Sequence, residues 1–139
     1  MIAFDADVLS LILAGDAEYS SRALQFSPQQ QAVPIVVVEE ILRGRLNSVR
    51  QAESGKGNLT IDRAYQLFET TLAAFREITI LSYTSQAETL FQAWRQQKVR
   101  VGTHDLRIAA ICAAHSATLI SRNRRDFDQI PGLHVEFWG

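Results

Sequence analysis

The sequence predicts an α/β fold, a three-layer α/β/α domain with a central, mainly parallel sheet. Three observations predict it. Short apolar runs of strand length recur along the chain at Ile2–Phe4, Pro34–Val38, Ile78–Leu81 and Thr118–Ile120. Segments with helical spacing of apolar residues lie between them, the alternation that produces a parallel sheet covered on both faces. The Pro34–Val38 run is continuous and β-branched rather than alternating, as in strands buried on both sides.

Ile2–Phe4 opens the chain as a strand. Val8–Ala14 is apolar enough for a helix that Gly15 ends. Asp16 is placed to cap a second short helix running through Leu24 and Phe26, and Ser27–Gln31 is a turn. Pro34–Val38 is the second strand, its last residues open to assignment to a helix through Glu39, Glu40, Ile41 and Leu42. Ser48 to Asn58 is polar and holds two glycines, so it reads as a surface loop. Ile61, Tyr65, Phe68, Leu72 and Phe75 recur at spacings of four and three, an apolar helical seam expected to pack on its own domain. A dimer or partner surface is the other use of such a seam. Ile78–Leu81 is the third strand. Ala87, Leu90, Phe91 and Trp94 mark an amphipathic helix. Leu106 to Ala114 is apolar or small nearly all round, which places that helix at the centre of the fold. Thr118–Ile120 is a fourth strand, His134–Phe137 a fifth, and Trp138 is expected to plug the core beside it.

At 139 residues, one domain spanning 1–139 is expected. A hydrophobic fraction of 47%, a charged fraction of 21% and a net charge of −1 are globular values with no bulk attraction to nucleic acid, although local basic patches remain compatible with them. The single cysteine, Cys112, lies in the small-residue helix and is expected to be a buried thiol. No apolar run reaches the roughly 18 residues of a membrane span, and no basic leader opens the chain. A soluble, cytoplasmic protein is the expectation.

The chemistry lies in the acids. Asp5 ends the first strand, Glu39 and Glu40 follow the second, Asp105 opens the central helix with Thr103 as its expected cap, and Asp126 follows the fourth strand. In a parallel sheet those positions emerge on one edge, where ligands of open α/β sheets bind. Clustered carboxylates repel, and a divalent cation relieves the repulsion. All-oxygen ligands favour Mg²⁺ or Mn²⁺, and no His or Cys pattern has zinc spacing. Such an ion can activate water against a phosphodiester. Each acid also has a plainer explanation. Asp5 is a natural strand-end cap, Asp105 is favourable in any first helical turn, Glu40 suits a solvated helix face, and Asp126 can cap the turn holding Phe127. The joint pattern distinguishes them.

Phe4-Asp5-Ala6-Asp7-Val8-Leu9 resembles the apolar–Asp–Thr–Asn–apolar–Leu opening of PIN-domain proteins. Glu40-Ile41-Leu42-Arg43-Gly44 resembles that family's Glu–apolar–x–x–Gly segment. Gly102-Thr103-His104-Asp105-Leu106-Arg107-Ile108-Ala109 is similar to its Gly–x–x–Asp–x–x–Ile–Ala segment. Ser121 to Phe127, with Pro131-Gly132-Leu133 and Trp138, is similar to its C-terminal stretch. The four segments occur in the family's order, and the length suits the VapC-type toxins of bacterial toxin–antitoxin pairs. The resemblance implies a PIN-like domain and a Mg²⁺- or Mn²⁺-dependent endoribonuclease. Asp5 and Asp105 would hold the metal, and Glu40 and Asp126 would complete the catalytic set. Related sequences place the fourth acid at the position of either Asn123 or Asp126; Asp126 is taken here, with Asn123 and Asp7 as polar neighbours. The implied partners are an RNA substrate, a cognate antitoxin and a second copy of the chain. Ala6, Asp7 and Ser121 depart from the usual Thr, Asn and Thr.

Arg43, Arg45 and Arg50 follow Glu40, and Arg122, Arg124 and Arg125 precede Asp126. Arg43, Arg122, Arg124 and Arg125 are candidates for RNA phosphate contacts, set against ordinary surface charge. His104 adjoins Asp105, but neighbours on a helix do not face one another, so no catalytic role is assigned to it. Two other functions compete. Asp5-x-Asp7 resembles the first motif of haloacid-dehalogenase-type phosphatases, with Asp5 as nucleophile and Asp7 as acid. That family expects Thr or Val at the place of Leu9 and a late lysine, whereas the lysines here are Lys56 and Lys98. A PIN-like module that binds RNA or a partner without cutting is the other.

Overall fold

The computed structural model describes residues 1–139. Five strands form one sheet in the order β3-β2-β1-β4-β5, every neighbouring pair parallel: β1 is Ile2–Phe4, β2 Gln31–Pro34, β3 Thr79–Leu81, β4 Thr118–Ser121 and β5 Val135–Phe137. Seven helices flank it: α1 Ala6–Leu13, α2 Ala17–Ala23, α3 Ile35–Glu53, α4 Ile61–Arg76, α5 Ser85–Gln96, α6 Thr103–Ala114 and α7 Arg124–Phe127. The expected three-layer architecture is present, with a sheet that is wholly parallel. No helix is long and apolar enough to cross a membrane.

The core follows the central strands. Ala3, Phe4, Val33, Leu119 and Ile120 are all but inaccessible to solvent, as are Ile108 to Cys112 of α6. The small side chains Ala109 and Ala110 leave room for close packing within the core. Cys112 is sealed in the same layer, and burial, with the Asp5 charge adding to it, pushes its thiol up to about 12. Trp138 fills the end of the core beyond β5. Its ring meets Phe4 edge-on at 5.9 Å and lies 6.3 Å from Tyr19 and 6.4 Å from Phe26.

Three expectations are corrected. The second strand ends at Pro34, and the β-branched run from Ile35 is the first turn of α3. A short apolar run does not distinguish a buried strand from a buried helix start. Here Val36, Val37, Val38 and Ile41 gain enough burial to override the modest helix penalty of β-branching. The same helix continues to Glu53, so most of the polar stretch read as a loop is helical. Val49 is buried, and Arg45 Nε donates to Thr71 Oγ1 of α4 at 2.9 Å. The turn comes at Gly55, whose φ of +74° supplies the left-handed residue after the helix cap. Finally, Gly102 rather than Thr103 occupies the N-cap of α6. The α4 seam is divided: Ala64, Thr71 and Phe75 are buried, whereas Ile61, Tyr65 and Leu72 remain exposed.

Candidate active site

Because every strand is parallel, all carboxyl ends lie on one rim. Asp5 is the first residue past β1 and the N-cap of α1, where its Oδ1 accepts from the Val8 N–H at 2.9 Å. The plain capping reading of Asp5 thus accounts for one of its two oxygens. The other oxygen, Oδ2, accepts the hydroxyl of Ser121, the last residue of β4, at 2.5 Å. Ser121 in turn accepts the Asn123 N–H at 2.9 Å. Asp5 is 5% exposed, and its carboxyl is raised from 3.8 to about 6. Burial is the main cause, the charges of Asp7 and Asp105 add to it, and the bonds from Ser121 and Val8 oppose it.

Glu40 comes from the second turn of α3 and Asp105 from the first turn of α6. Both carboxyls are held above their ordinary range, first by burial. For Glu40 the Asp105 charge comes next; for Asp105 the charges of Asp126 and Asp7 do. A cavity of about 190 Å³ gathers the group, lined by Asp5, Ala6, Asp7, Glu40, Asp105, Asn123 and Phe127. Residues from four separate segments thus converge, as the strand-exit argument required.

The fourth position divides between the two residues the sequence left open. Asn123 lines the cavity, and Asp126 stands behind it, not on the wall as expected. Asp126 Oδ2 accepts from Asn123 Nδ2 at 2.9 Å, and its N–H donates to Asn123 Oδ1 at 3.3 Å. Asp126 still acts on the cavity through its charge on Asp105.

His104, to which the sequence reading assigned no catalytic role, lies close to two acids of α3. Its ring reaches α3. Nδ1 lies 3.7 Å from Glu40 Oε1 and Nε2 lies 4.0 Å from Glu39 Oε1. The imidazole opposes the upward shifts of Glu40 and Asp105. Nothing local in the sequence signals this, since the α3–α6 approach is a tertiary fact.

The arginines are dispersed, and none of the four candidates lines the acidic cavity. Arg43 pairs with Glu39 at 2.8 Å and, with Asn47 and Arg50, borders an adjoining cavity of about 510 Å³ that reaches Glu40. Arg122 lies over the Tyr19 ring at 5.7 Å and Arg124 over Phe137 at 4.6 Å, so both are held toward the β5 side. Arg125 is exposed.

No three acid, histidine or cysteine side chains already form a group that would hold a metal ion. Mg²⁺, however, is commonly held by one or two carboxylates and keeps several waters. The residues present fit such an ion. The donors are all oxygen, no cationic side chain lines the cavity, and the acids raise one another's proton affinity, a repulsion that bound positive charge relieves.

The chain belongs to the PIN domain family, whose sequence profile matches residues 2–133. A stretch of 40 residues, 29% of the chain, is 42% identical to Ribonuclease VapC1 of Rickettsia felis and spans 30% of that protein's length. The fold is shared with solved structures of low identity. The VapBC2 structure from Rickettsia felis, bound to a DNA fragment from its promoter, superposes with a TM-score of 0.76 at 20% identity, covering 100% of both chains. FitAcB from Neisseria gonorrhoeae gives 0.80 at 17% identity over 97% of this chain and 96% of that one. A toxin–antitoxin complex from Klebsiella pneumoniae gives 0.73 at 23% identity over 98% and 96%. Family membership sets aside the phosphatase alternative.

Proposed function

We propose that this protein is an endoribonuclease dependent on Mg²⁺ or Mn²⁺, and the toxin of a type II toxin–antitoxin pair. The observation that carries the proposal is the cavity in which Asp5, Glu40 and Asp105 meet, in a chain of the PIN family. The partial likeness to a ribonuclease and the fold shared with VapBC complexes support it.

Asp5 and Asp105 would hold the ion, which supplies Lewis acidity toward a phosphodiester oxygen and lowers the pKa of a bound water. The chain's own groups do the rest. Ser121 and the Val8 N–H fix the Asp5 carboxylate in one orientation, and above a pH of about 6 it is ionised. Glu40, with its raised proton affinity, is suited to take the proton of an attacking water. Asp126 orients the Asn123 amide at the cavity wall. Arg43 and Arg50, next to Glu40, would meet the phosphates of the strand. Antitoxin binding would block the site, and a second copy of the chain would complete the assembly.

The test is cleavage of RNA with Mg²⁺ or Mn²⁺ against EDTA. Asp105→Asn should abolish cutting while the melting curve shows a folded protein. A variant that cuts at the parental rate overturns the mechanism. RNA that is bound but never cut points to the non-catalytic alternative.

A further inference from the structure

The acidic cavity is almost without side-chain donors. Asp5, Asp7, Glu40 and Asp105 present carboxyl groups to it, and Ala6 and Phe127 carry no polar side-chain atom. An ionised carboxylate only accepts hydrogen bonds. Asn123 is the exception, the one lining residue whose side chain donates whatever the pH.

The Asn123 amide is held in one orientation. Its Oδ1 accepts the Asp126 N–H at 3.3 Å as the cap of α7, and its Nδ2 donates to Asp126 Oδ2 at 2.9 Å. Reversing the amide would set oxygen against carboxylate oxygen and N–H against N–H, so the two contacts fix which end is nitrogen. The backbone N–H of Asn123 is committed to Ser121 Oγ at 2.9 Å, and Ser121 donates to Asp5. The residue is thus tied into the hydrogen-bonded chain that orients Asp5. Capping alone does not call for an amide, because Asp or Ser caps a helix as well as Asn. What the amide adds is a nitrogen with two N–H groups. Asp126 takes one, and no group of the chain takes the other.

We infer that the second Nδ2–H of Asn123 donates to a non-bridging oxygen of the phosphodiester that is cut. The inference rests on the ribonuclease reading of the acidic cavity. A phosphodiester is an anion whose oxygens accept and cannot donate, and the carboxylates around it repel it. No arginine or lysine lines the cavity to meet those oxygens. A neutral amide meets one of them without pairing off the acids. Because Asp126 and the cap already hold the amide, the donor needs no reorganisation when the phosphate reacts.

The test maps the parent's cut position in an RNA and places sulphur at either non-bridging oxygen of that phosphate, giving two diastereomers. Sulphur is a weak hydrogen-bond acceptor. The parent should cut one diastereomer about tenfold slower than the all-oxygen RNA. Asn123→Ala should cut that diastereomer and the all-oxygen RNA at equal rates, because the bond that sulphur weakens is already gone. A merely structural role would slow every RNA alike and leave the sulphur ratio unchanged. Asn123→Asp keeps the cap oxygen and removes the donor. It should cut the all-oxygen RNA about a hundredfold slower, with a Mn²⁺-induced melting shift no smaller than the parent's. Parental cutting by Asn123→Asp, an unchanged sulphur ratio in Asn123→Ala, or a parent indifferent to sulphur overturns the inference. A Mn²⁺ shift lost in Asn123→Asp makes the residue part of the ion site and overturns it too. A parent that cuts RNA while giving any of these results loses this contact alone. One that cuts no RNA with either metal loses the ribonuclease reading, and this contact with it.

Discussion

Ser121 donates its hydroxyl to Asp5 across 116 residues of sequence, locking the ends of two neighbouring strands together at the bottom of the acidic cavity. The bond matters because Asp5 is buried and feels the like charges of Asp7 and Asp105. It favours the ionised form that burial disfavours.

Ser121→Ala should therefore raise the proton affinity of Asp5 further. The acid limb of the pH–rate profile should move to higher pH, and stability at pH 8 should fall by about 1–3 kcal/mol, since a buried carboxylate oxygen loses its donor. Ser121→Thr keeps the hydroxyl and should leave the limb where it is. An unmoved limb in the alanine variant would remove Ser121 from this role.

Asp5 lowers the stability of the metal-free protein at neutral pH. Its folded value of about 6 lies above the unfolded 3.8, so the folded chain binds the proton more tightly. The stabilisation is full below about 3.8 and is lost as pH rises through about 6, on the order of 3 kcal/mol. Asparagine keeps the cap to Val8 and carries no charge. Asp5→Asn should thus melt above the parent at pH 7.5 in EDTA, with the gap closing by pH 4, while RNA cleavage is lost. A variant that melts below the parent at pH 7.5 contradicts this.

A divalent ion should reverse that penalty. Mn²⁺ at a hundredfold excess over its dissociation constant should stabilise the folded chain by about 2.7 kcal/mol. The shift should be larger at pH 7.5 than at pH 5, where protons compete for Asp5, Glu40 and Asp105. Asp105→Asn should abolish most of it. Equal melting shifts in parent and variant, measured by calorimetry, would place the ion elsewhere.

Arg43 and Arg50 border the cavity that adjoins Glu40. Alanine at either should weaken RNA binding evenly across sequences and reduce the salt slope by about one. Unchanged salt dependence would make them ordinary surface charges.

The sequence made the layers and the meeting of the acids legible because both depend on local patterns. Strand-length apolar runs each ended at a carboxylate or a polar turn, and parallel topology brought those ends to one edge. The boundary between β2 and α3 was not legible, since Val36, Val37 and Val38 suit a strand and a buried helical turn equally. The helical stretch Ser48–Glu53 was hidden by its polar outer face, with only Val49 to mark the inner one. His104 beside Glu40, Asn123 in front of Asp126, and the aromatic rings under Arg122 and Arg124 depend on how distant segments pack, which no spacing along the chain encodes.

Cys112 gives the fold a natural clock. The chain has one thiol, it has no solvent contact, and its ionisation is suppressed. A maleimide added to the native protein therefore has nothing to react with until the layer around α6 opens. Each labelled molecule records one such opening, in the unmodified sequence and without an introduced probe. Whatever holds the rim closed, an ion among the acids or a protein seated over them, should slow that count.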